Sequence, residues 1–470
     1  MLLKYLERRR IAVLWRLSWP AILEQLLGTL VSYIDTVMVG VLGKVATAAV
    51  SLNGPPVWLV NSFLSGIGVG YSVQVANAVG AKDHAKARRT IIQALLAILV
   101  SGFGLLLLLV LLSGAIPKWL GAEPDVLPLA TQYLRFYVLS MPGNAVLFVL
   151  SAVLRCTGDT RTPLLLNTSA SIMNTILNFL LIYPPRELTL FGFSFIMPGA
   201  GLGVAGAAIA SAISIDLAGL AVALVVIFRF RLFRRGSGDS LRPDFTVISA
   251  ALHLGAPYIA ERASVNLGQI AMTRIVAYIG TAALAANHIA TTAEGLCYLP
   301  AYGISFAATA LVGQSVGAKT KEDANAYGIL SGGLGFVLCV LTGAALFLCA
   351  HPLAALFSPD PEVVELTAQV LRIVAFCEPF FALSIVMAGA LRGANDTRCP
   401  MFISLGCMWV IRMGLALVLV FGFDAGLPGV WLAMAIELTF RGLFCALRWR
   451  SGKWAPLAGF HQNEELEMRN

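Results

Sequence analysis

The chain repeats itself at one fixed offset. Pro20 and Glu24 recur 237 positions later as Pro257 and Glu261, and Gly43 recurs as Gly280. The same offset carries Val79-Gly80-Ala81-Lys82 onto Val316-Gly317-Ala318-Lys319, Arg135 onto Arg372, Pro142 onto Pro379 and Leu154-Arg155 onto Leu391-Arg392. It also carries Asp159-Thr160-Arg161-x-Pro163 onto Asp396-Thr397-Arg398-x-Pro400. One offset sustained over most of each half means a duplicated unit, so both halves must adopt the same fold. The register breaks only after the fifth apolar segment, where Tyr183 to Pro198 forms a longer hairpin than its counterpart near Gly422 to Pro428.

The solvent of that fold is lipid. Hydrophobic residues make up 58% of the chain and charged residues 12%, about half the charge of a soluble domain. Apolar runs such as Ile91 to Ile116 approach the roughly 20 residues that cross a bilayer core. Breakers divide each half into six spans: 12–40, 46–79, 90–116, 126–154, 162–184 and 200–229, then 246–279, 283–316, 326–350, 363–391, 400–422 and 427–449. Six is even, so the halves start on the same side of the membrane and are related by an axis along its normal. The expected architecture is an all-α integral membrane protein of twelve transmembrane helices, arranged as two parallel six-helix repeats around a central cleft. Residues 1–230 form the first bundle, 231–245 a linker, 246–450 the second bundle and 451–470 a tail.

Basic residues set the orientation. Alternate connections and the tail hold Lys82, Lys86, Arg88, Arg89, Arg155, Arg161, Arg231, Arg234, Arg235, Arg242, Lys319, Lys321, Arg392, Arg398, Arg448, Arg450 and Lys453, whereas the others hold only Lys44, Lys118 and Arg186. Both termini are therefore expected in the cytoplasm, with the protein multi-pass in the plasma (inner) membrane. The net charge of +8 is then topology, not a nucleic-acid footprint. Pro20 and Asp35 punctuate a full-length first span, which reads as a helix and not as a signal peptide.

Charges within spans are expensive, roughly 2.5 to 3.5 kcal/mol each on insertion scales, and usually face a pathway. Gln25, Gly28, Ser32 and Asp35 follow helical spacing and give the first span one polar face; Asn167, Ser171, Asn174 and Asn178 do the same on the fifth. Asp35 with Asn174 and Asn178 could form an oxygen-rich site for a sodium ion, or a proton site. Glu24, Gln25, Ser32 and Ser171 are candidates for a substrate cavity in this half. The second half is not a copy: Asp35 maps onto Met272, and Arg262, Asn266, Gln269 and Thr273 make a stripe on the seventh span. Glu261, Arg262, Asn266, Gln269 and Glu378 are its candidates for substrate contact. Glu437 and Arg441, four apart, are expected to pair.

Other chemistries find little support. The eight cysteines are scattered without a CxxC pair and read as reduced packing residues; His253 and His288 read as packing histidines. Gly201-Leu-Gly203-Val-Ala-Gly206 matches a dinucleotide fingerprint, but no strand is expected before it, and close helix packing explains its small residues better. With no triad, phosphate loop or metal-ligand set, the chain is expected to be no enzyme, to need no cofactor beyond a coupling ion and to bind no nucleic acid.

Several motifs resemble those of a known family. Pro20 with Tyr33-Ile-Asp35-Thr36-Val-Met-Val-Gly40-x-x-Gly43 resembles the first-helix motif of the multidrug and toxin extrusion (MATE) family. Val79-Gly80-Ala81-Lys82, Leu154-Arg155-Cys-Thr-Gly158-Asp159-Thr160-Arg161-x-Pro163 and Leu391-Arg392-Gly393-Ala-Asn-Asp396-Thr397 resemble its loop motifs. The resemblance covers nearly the whole chain. It implies a monomeric antiporter that exports small organic molecules, typically cations, against inward protons or sodium. Asp35 matches the family's first-helix aspartate and Asn174 an asparagine of its fifth-helix site, while Asn178 stands where some prokaryotic members carry an aspartate. Glu261 and Glu378 sit about a turn before the acids of sodium-coupled relatives, so the resemblance leans to a first-half site of the DinF-like kind. A lipid-linked saccharide flippase of the same superfamily is the alternative.

Overall fold

The computed structural model describes residues 7–190, 193–232 and 242–460. Twelve long helical segments are seen among them. They are α1 (Arg8–Gly40), α2 (Lys44–Gly80), α3 (His84–Leu112), α4 (Leu127–Cys156), α5 (Arg161–Leu181) and α6 (Gly203–Arg229). Then come α7 (Phe245–Ile279), α8 (Thr281–Gly317), α9 (Lys321–Phe357), α10 (Pro361–Ala375 followed by Glu378–Gly393), α11 (Arg398–Gly422) and α12 (Gly426–Arg450). Ten are singly long and apolar enough to cross a membrane, and the two parts of α10, bent by 54°, make an eleventh. The twelfth, α7, is 35 residues long, but Glu261, Arg262 and Arg274 lower its apolarity. The expected linker and tail are only partly covered: positions 233–241, including Arg234 and Arg235, and positions 461–470 lie outside the described residues.

Among the described residues, the one departure from an all-α fold is a hairpin between α5 and α6. Strands β1 (Arg186–Leu190) and β2 (Phe193–Met197) pair antiparallel, with Arg186 opposite Met197. A strand therefore does precede Gly201-x-Gly203-x-x-Gly206, contrary to the sequence reading. The glycines nonetheless serve packing: a Cβ on Gly206 would lie 2.5 Å from the Leu181 carbonyl oxygen of α5.

The duplication is visible contact by contact. Asp159 accepts from the Thr162 amide at 3.0 Å to cap α5, and Asp396 accepts from the Cys399 amide at 3.3 Å to cap α11. Each of these caps also holds an arginine from the last helix of its half, Arg229 and Arg448. Gly43 and Gly280 open α2 and α8 at φ of 101° and 145°, a region that L side chains avoid.

The two bundles meet through α1 against α8, α7 against α2, and α2 against α8. At the end carrying most of the basic loops the backbones nearly touch. A Cβ on Gly80 would lie 1.9 Å from the Gln314 carbonyl oxygen, and one on Gly317 would lie 1.9 Å from that of Asn77. Asn77 donates to Asn395 Oδ1 at 3.1 Å, and Gln314 donates to the Cys156 carbonyl at 2.8 Å. Arg10 pairs with Asp323 at 2.8 Å, and Arg89 with Asp244, each pair joining the two bundles. Leu99, Val100, Phe103, Leu107 and Leu111 on α3 are exposed, as are Val337, Leu341 and Leu348 on α9. Only lipid can cover such surfaces on backbones whose polar groups are satisfied within helices.

Candidate functional site

Within the first bundle, α1, α4, α5 and α6 enclose a cavity of about 440 Å³. Gly28, Ser32 and Asp35 line it from α1, and Ser171, Asn174 and Asn178 from α5, as the two polar stripes require. Asp35 is the one charged residue among the described lining residues. Asn178 Nδ2 donates to Asp35 Oδ1 at 2.8 Å. The Asn174 amide satisfies its neighbours when its nitrogen faces both Asp35 oxygens, at 2.9 and 2.8 Å, and its oxygen accepts from Ser211. Asn178 thus presents nitrogen to the carboxylate, whereas Asn174 as placed accepts from Asn178 Nδ2 at 3.2 Å and donates to Ser211 at 3.1 Å, and only its reversed amide turns nitrogen to Asp35. Asn178 Oδ1 is left buried without a partner. No Lys or Arg is among the described residues that line the cavity with Asp35.

The rest of the stripes does something else. Gln25 and Asn167 fall in a second cavity of about 380 Å³ between the bundles, near the basic end. There Glu24 accepts from Arg155 at 2.8 and 3.0 Å and from Asn167 at 2.6 Å. At the repeat offset, Glu261 accepts from Arg392 at 3.4 and 3.3 Å and from Ser404 at 3.1 Å. Arg155 lies over the Phe306 ring and Arg392 over the Tyr258 ring. These two arginines, counted as loop charges from the sequence, are buried inside α4 and α10. Each pairs with a glutamate three helices earlier in the chain, and the shared offset relates the two pairs, since Glu24 and Arg155 recur together.

The second bundle holds a smaller cavity of about 150 Å³ lined by Glu261, Arg262 and Gln269. Arg262 donates to the hydroxyls of Tyr258 and Tyr302 at 3.0 and 3.2 Å. Glu437 pairs with Arg441 at 3.2 Å, as its spacing predicts, and lies 4.0 Å from Arg412, which follows a π-helical turn in α11. Glu378 lines none of these cavities; it is fully buried, with both carboxylate oxygens lacking hydrogen-bond partners. Asn266 donates to Ser62 of the first bundle at 3.2 Å and lines a fourth cavity, of about 810 Å³, together with Gln269. His288 is exposed on the wall of that cavity, and His253 is exposed near Arg398, so neither is enclosed packing. All eight cysteines are free.

Sequence reasoning passed over Tyr133 and Tyr137 of α4, whose stacked rings, 5.7 Å apart, close the Asp35 cavity. It also missed Ser211 of α6. Ser214, three residues further on, lines the same cavity, so the helical spacing of the two serines was a signal the sequence carried.

Polar cavities inside a doubled, lipid-facing helix bundle define a membrane transporter. The MatE family model matches residues 20–180 and 257–418, once in each half. A probable multidrug resistance protein NorM of Thermotoga maritima is 30% identical, over 96% of this chain and 95% of its own length. A NorM of Pseudomonas aeruginosa is 29% identical, over 97% and 92%. A solved MOP superfamily transporter from Pyrococcus furiosus superposes with a TM-score of 0.86 at 21% identity, over 95% and 96% of the two chains, and shares the fold. The chain belongs to the MatE family of multi-pass membrane transporters.

Proposed function

We propose that the chain is a secondary antiporter for multidrug efflux, exporting small organic molecules in exchange for protons that enter through Asp35. The relatives' description as multidrug resistance proteins supports efflux. The observation that carries the coupling site is Asp35 itself, a lone carboxylate in a polar cavity, facing the amides of Asn174 and Asn178. Amide donors favour the ionised form of Asp35, but no basic side chain among the described lining residues does so, which leaves the carboxylate free to take a proton; a sodium site needs several oxygens around the ion. Asn174 and Asn178 hold the carboxylate; Ser32 and Ser171 line the route to it. Cavities of this size class take drug-sized molecules. The basic end faces the cytoplasm, with both termini, and the protein acts as a monomer in the inner membrane.

Each proton carried inward draws on roughly 2.3 kcal/mol per 100 mV of membrane potential. The test is dye accumulation in proteoliposomes under an imposed proton or sodium gradient. A proton gradient alone should drive it in sodium-free buffer. Accumulation that requires sodium would overturn the choice of ion, and no accumulation under either gradient would overturn antiport.

A further inference from the structure

An apolar trough of about 550 Å³ runs along the outside of the seam between α2 and α7, apart from the polar cavities. Its floor is nearly bare of side chains, because the two helices approach through small residues. A Cβ on Gly70 would lie 2.3 Å from the Ala251 carbonyl oxygen, and one on Gly255 would lie 2.5 Å from that of Gly66. Leu96, Val100 and Leu105 of α3 supply one wall, and Ile248, Leu252 and Ile259 of α7 the other. Val100 and Leu252 are exposed, whereas the opposite face of α2, with Ser65, Val69 and Ser72, lines the cavity between the bundles. No described lining residue of the trough is charged, and Gln93 and Ser101 direct their polar groups to backbone partners. The trough therefore opens to the hydrocarbon of the bilayer.

Gln93 and Pro243 close the trough at the end nearest the basic loops. Gln93 donates to the Arg242 carbonyl at 2.9 Å and accepts from the Asp244 amide at 3.0 Å. Arg89 pairs with Asp244, and Arg88 donates to the Arg231 carbonyl at 3.2 Å. Among the described residues, these contacts gather four arginines around one acid, Asp244, and Arg89 and Arg242 are exposed. An apolar trough that ends in a surplus of cations matches a molecule with an acyl chain and a phosphate, since clustered arginines at a membrane surface attract anionic headgroups. We propose that the trough binds one anionic phospholipid, with an acyl chain against the α2–α7 seam and its phosphate among the arginines. Because α3 belongs to the first bundle and α7 to the second, the lipid bridges the two.

Native mass spectrometry of the full-length, detergent-solubilised protein tests this, with phosphatidylglycerol and phosphatidylcholine of identical acyl chains as probes. Phosphatidylglycerol should bind the tighter of the two. Arg242→Gln should weaken it by about fivefold, the worth of one basic residue at an anionic headgroup, and leave phosphatidylcholine unchanged. Gly104 lines the trough, and a Cβ there meets no atom within 4 Å, so Gly104→Leu fills the trough without disturbing the protein. It should lower phosphatidylglycerol binding while the thermal midpoint of the lipid-free protein stays at the wild-type value. Soluble glycerol phosphate, which has the headgroup and no chain, should not bind measurably. Equal binding of the two lipids, binding of neither, phosphatidylglycerol binding that survives Arg242→Gln or Gly104→Leu, or binding of glycerol phosphate as tight as that of the lipid would overturn the proposal. So would a dimer of the chain that Gly104→Leu disperses, since a second copy would then be the occupant.

Discussion

The two bundles share a frame and differ in what they place inside it. Frame positions are duplicated: Glu24 and Glu261, Arg155 and Arg392, Asp159 and Asp396, Gly80 and Gly317 do the same mechanical jobs in each half. Cavity positions are not. Asp35 of the first bundle stands where the second has Met272, which is 3% exposed and packed in that bundle's core. The cavity of the first bundle therefore holds a lone acid among its described lining residues, and that of the second holds Glu261 and Glu294 among four arginines. Duplication supplies the fold, while divergence at a few inward positions supplies two different chemistries.

The largest expected effect breaks this comparison at its centre. Asp35→Asn keeps the size of the side chain and removes its charge, so folding should survive while gradient-driven accumulation in proteoliposomes is abolished. The reciprocal change, Met272→Asp, should not create a second coupling site, because Asn174 and Asn178 map onto Ile411 and Leu415 at the repeat offset. Asn178→Ala should weaken accumulation less than Asp35→Asn, since it removes one donor and no charge. Export by the Asp35→Asn protein at the wild-type rate would refute the coupling role.

Next in size are the duplicated buried pairs. Removing one partner of a buried ion pair typically costs about 3 to 5 kcal/mol, mostly because the other charge is stranded. Glu24→Gln should lower the thermal midpoint of the purified protein more than Glu261→Gln. Glu24 receives Arg155 at 2.8 and 3.0 Å, whereas Glu261 receives Arg392 only at 3.4 and 3.3 Å. Equal losses would mean that the difference in geometry carries no energy.

The glycines sharpen the comparison in the other direction, where symmetry demands equality. Gly80→Ala and Gly317→Ala each place a methyl carbon against a carbonyl oxygen of the opposite bundle. Either should force the basic end open by a similar amount. Labelling of a cysteine introduced at Asn77 by a membrane-impermeant thiol reagent, after replacement of the native cysteines, should rise alike in both. A rise in one alone would show that the bundles do not meet symmetrically.

Much of this was legible in the sequence. The offset gave the two bundles, the spans agree with the helices to within a few residues at most ends, and helical spacing brought Asp35, Asn174 and Asn178 onto facing stripes. Three things were not legible. Periodicity cannot say which end of an amide faces a carboxylate, because hydrogen bonding to neighbours such as Ser211 decides it. Charge counting cannot separate a loop arginine from a buried one in the last turn of a helix, as Arg155 and Arg392 show. Tyr183 to Pro198 was read as a hairpin, but its β strands were not, because the repeat fails there and the second half could not report on them.

The smallest effect expected concerns the first residue of each bundle's leading helix. Glu7 and Asp244 are related by the repeat offset and sit at the N-caps of α1 and α7. Glu7 makes no side-chain cap, being one methylene too long to fold back easily, whereas Asp244 accepts from the Thr246 amide at 3.1 Å and also holds Arg89. The hydrogen bond from the Thr246 hydroxyl, reinforced by the amide and by Arg89, keeps the Asp244 carboxyl below the usual range. A carboxyl depressed in the folded state stabilises it above the unfolded value, about 3.9, and the contribution fades as pH falls through the folded value. Asp244→Ala should therefore lower the thermal midpoint slightly and by a constant amount from neutral pH down to about 5, with the gap to wild type closing below about 4. Glu7→Ala should leave the midpoint unchanged throughout. A gap at Asp244 that persists undiminished in acid would assign its effect to packing and not to the charged cap.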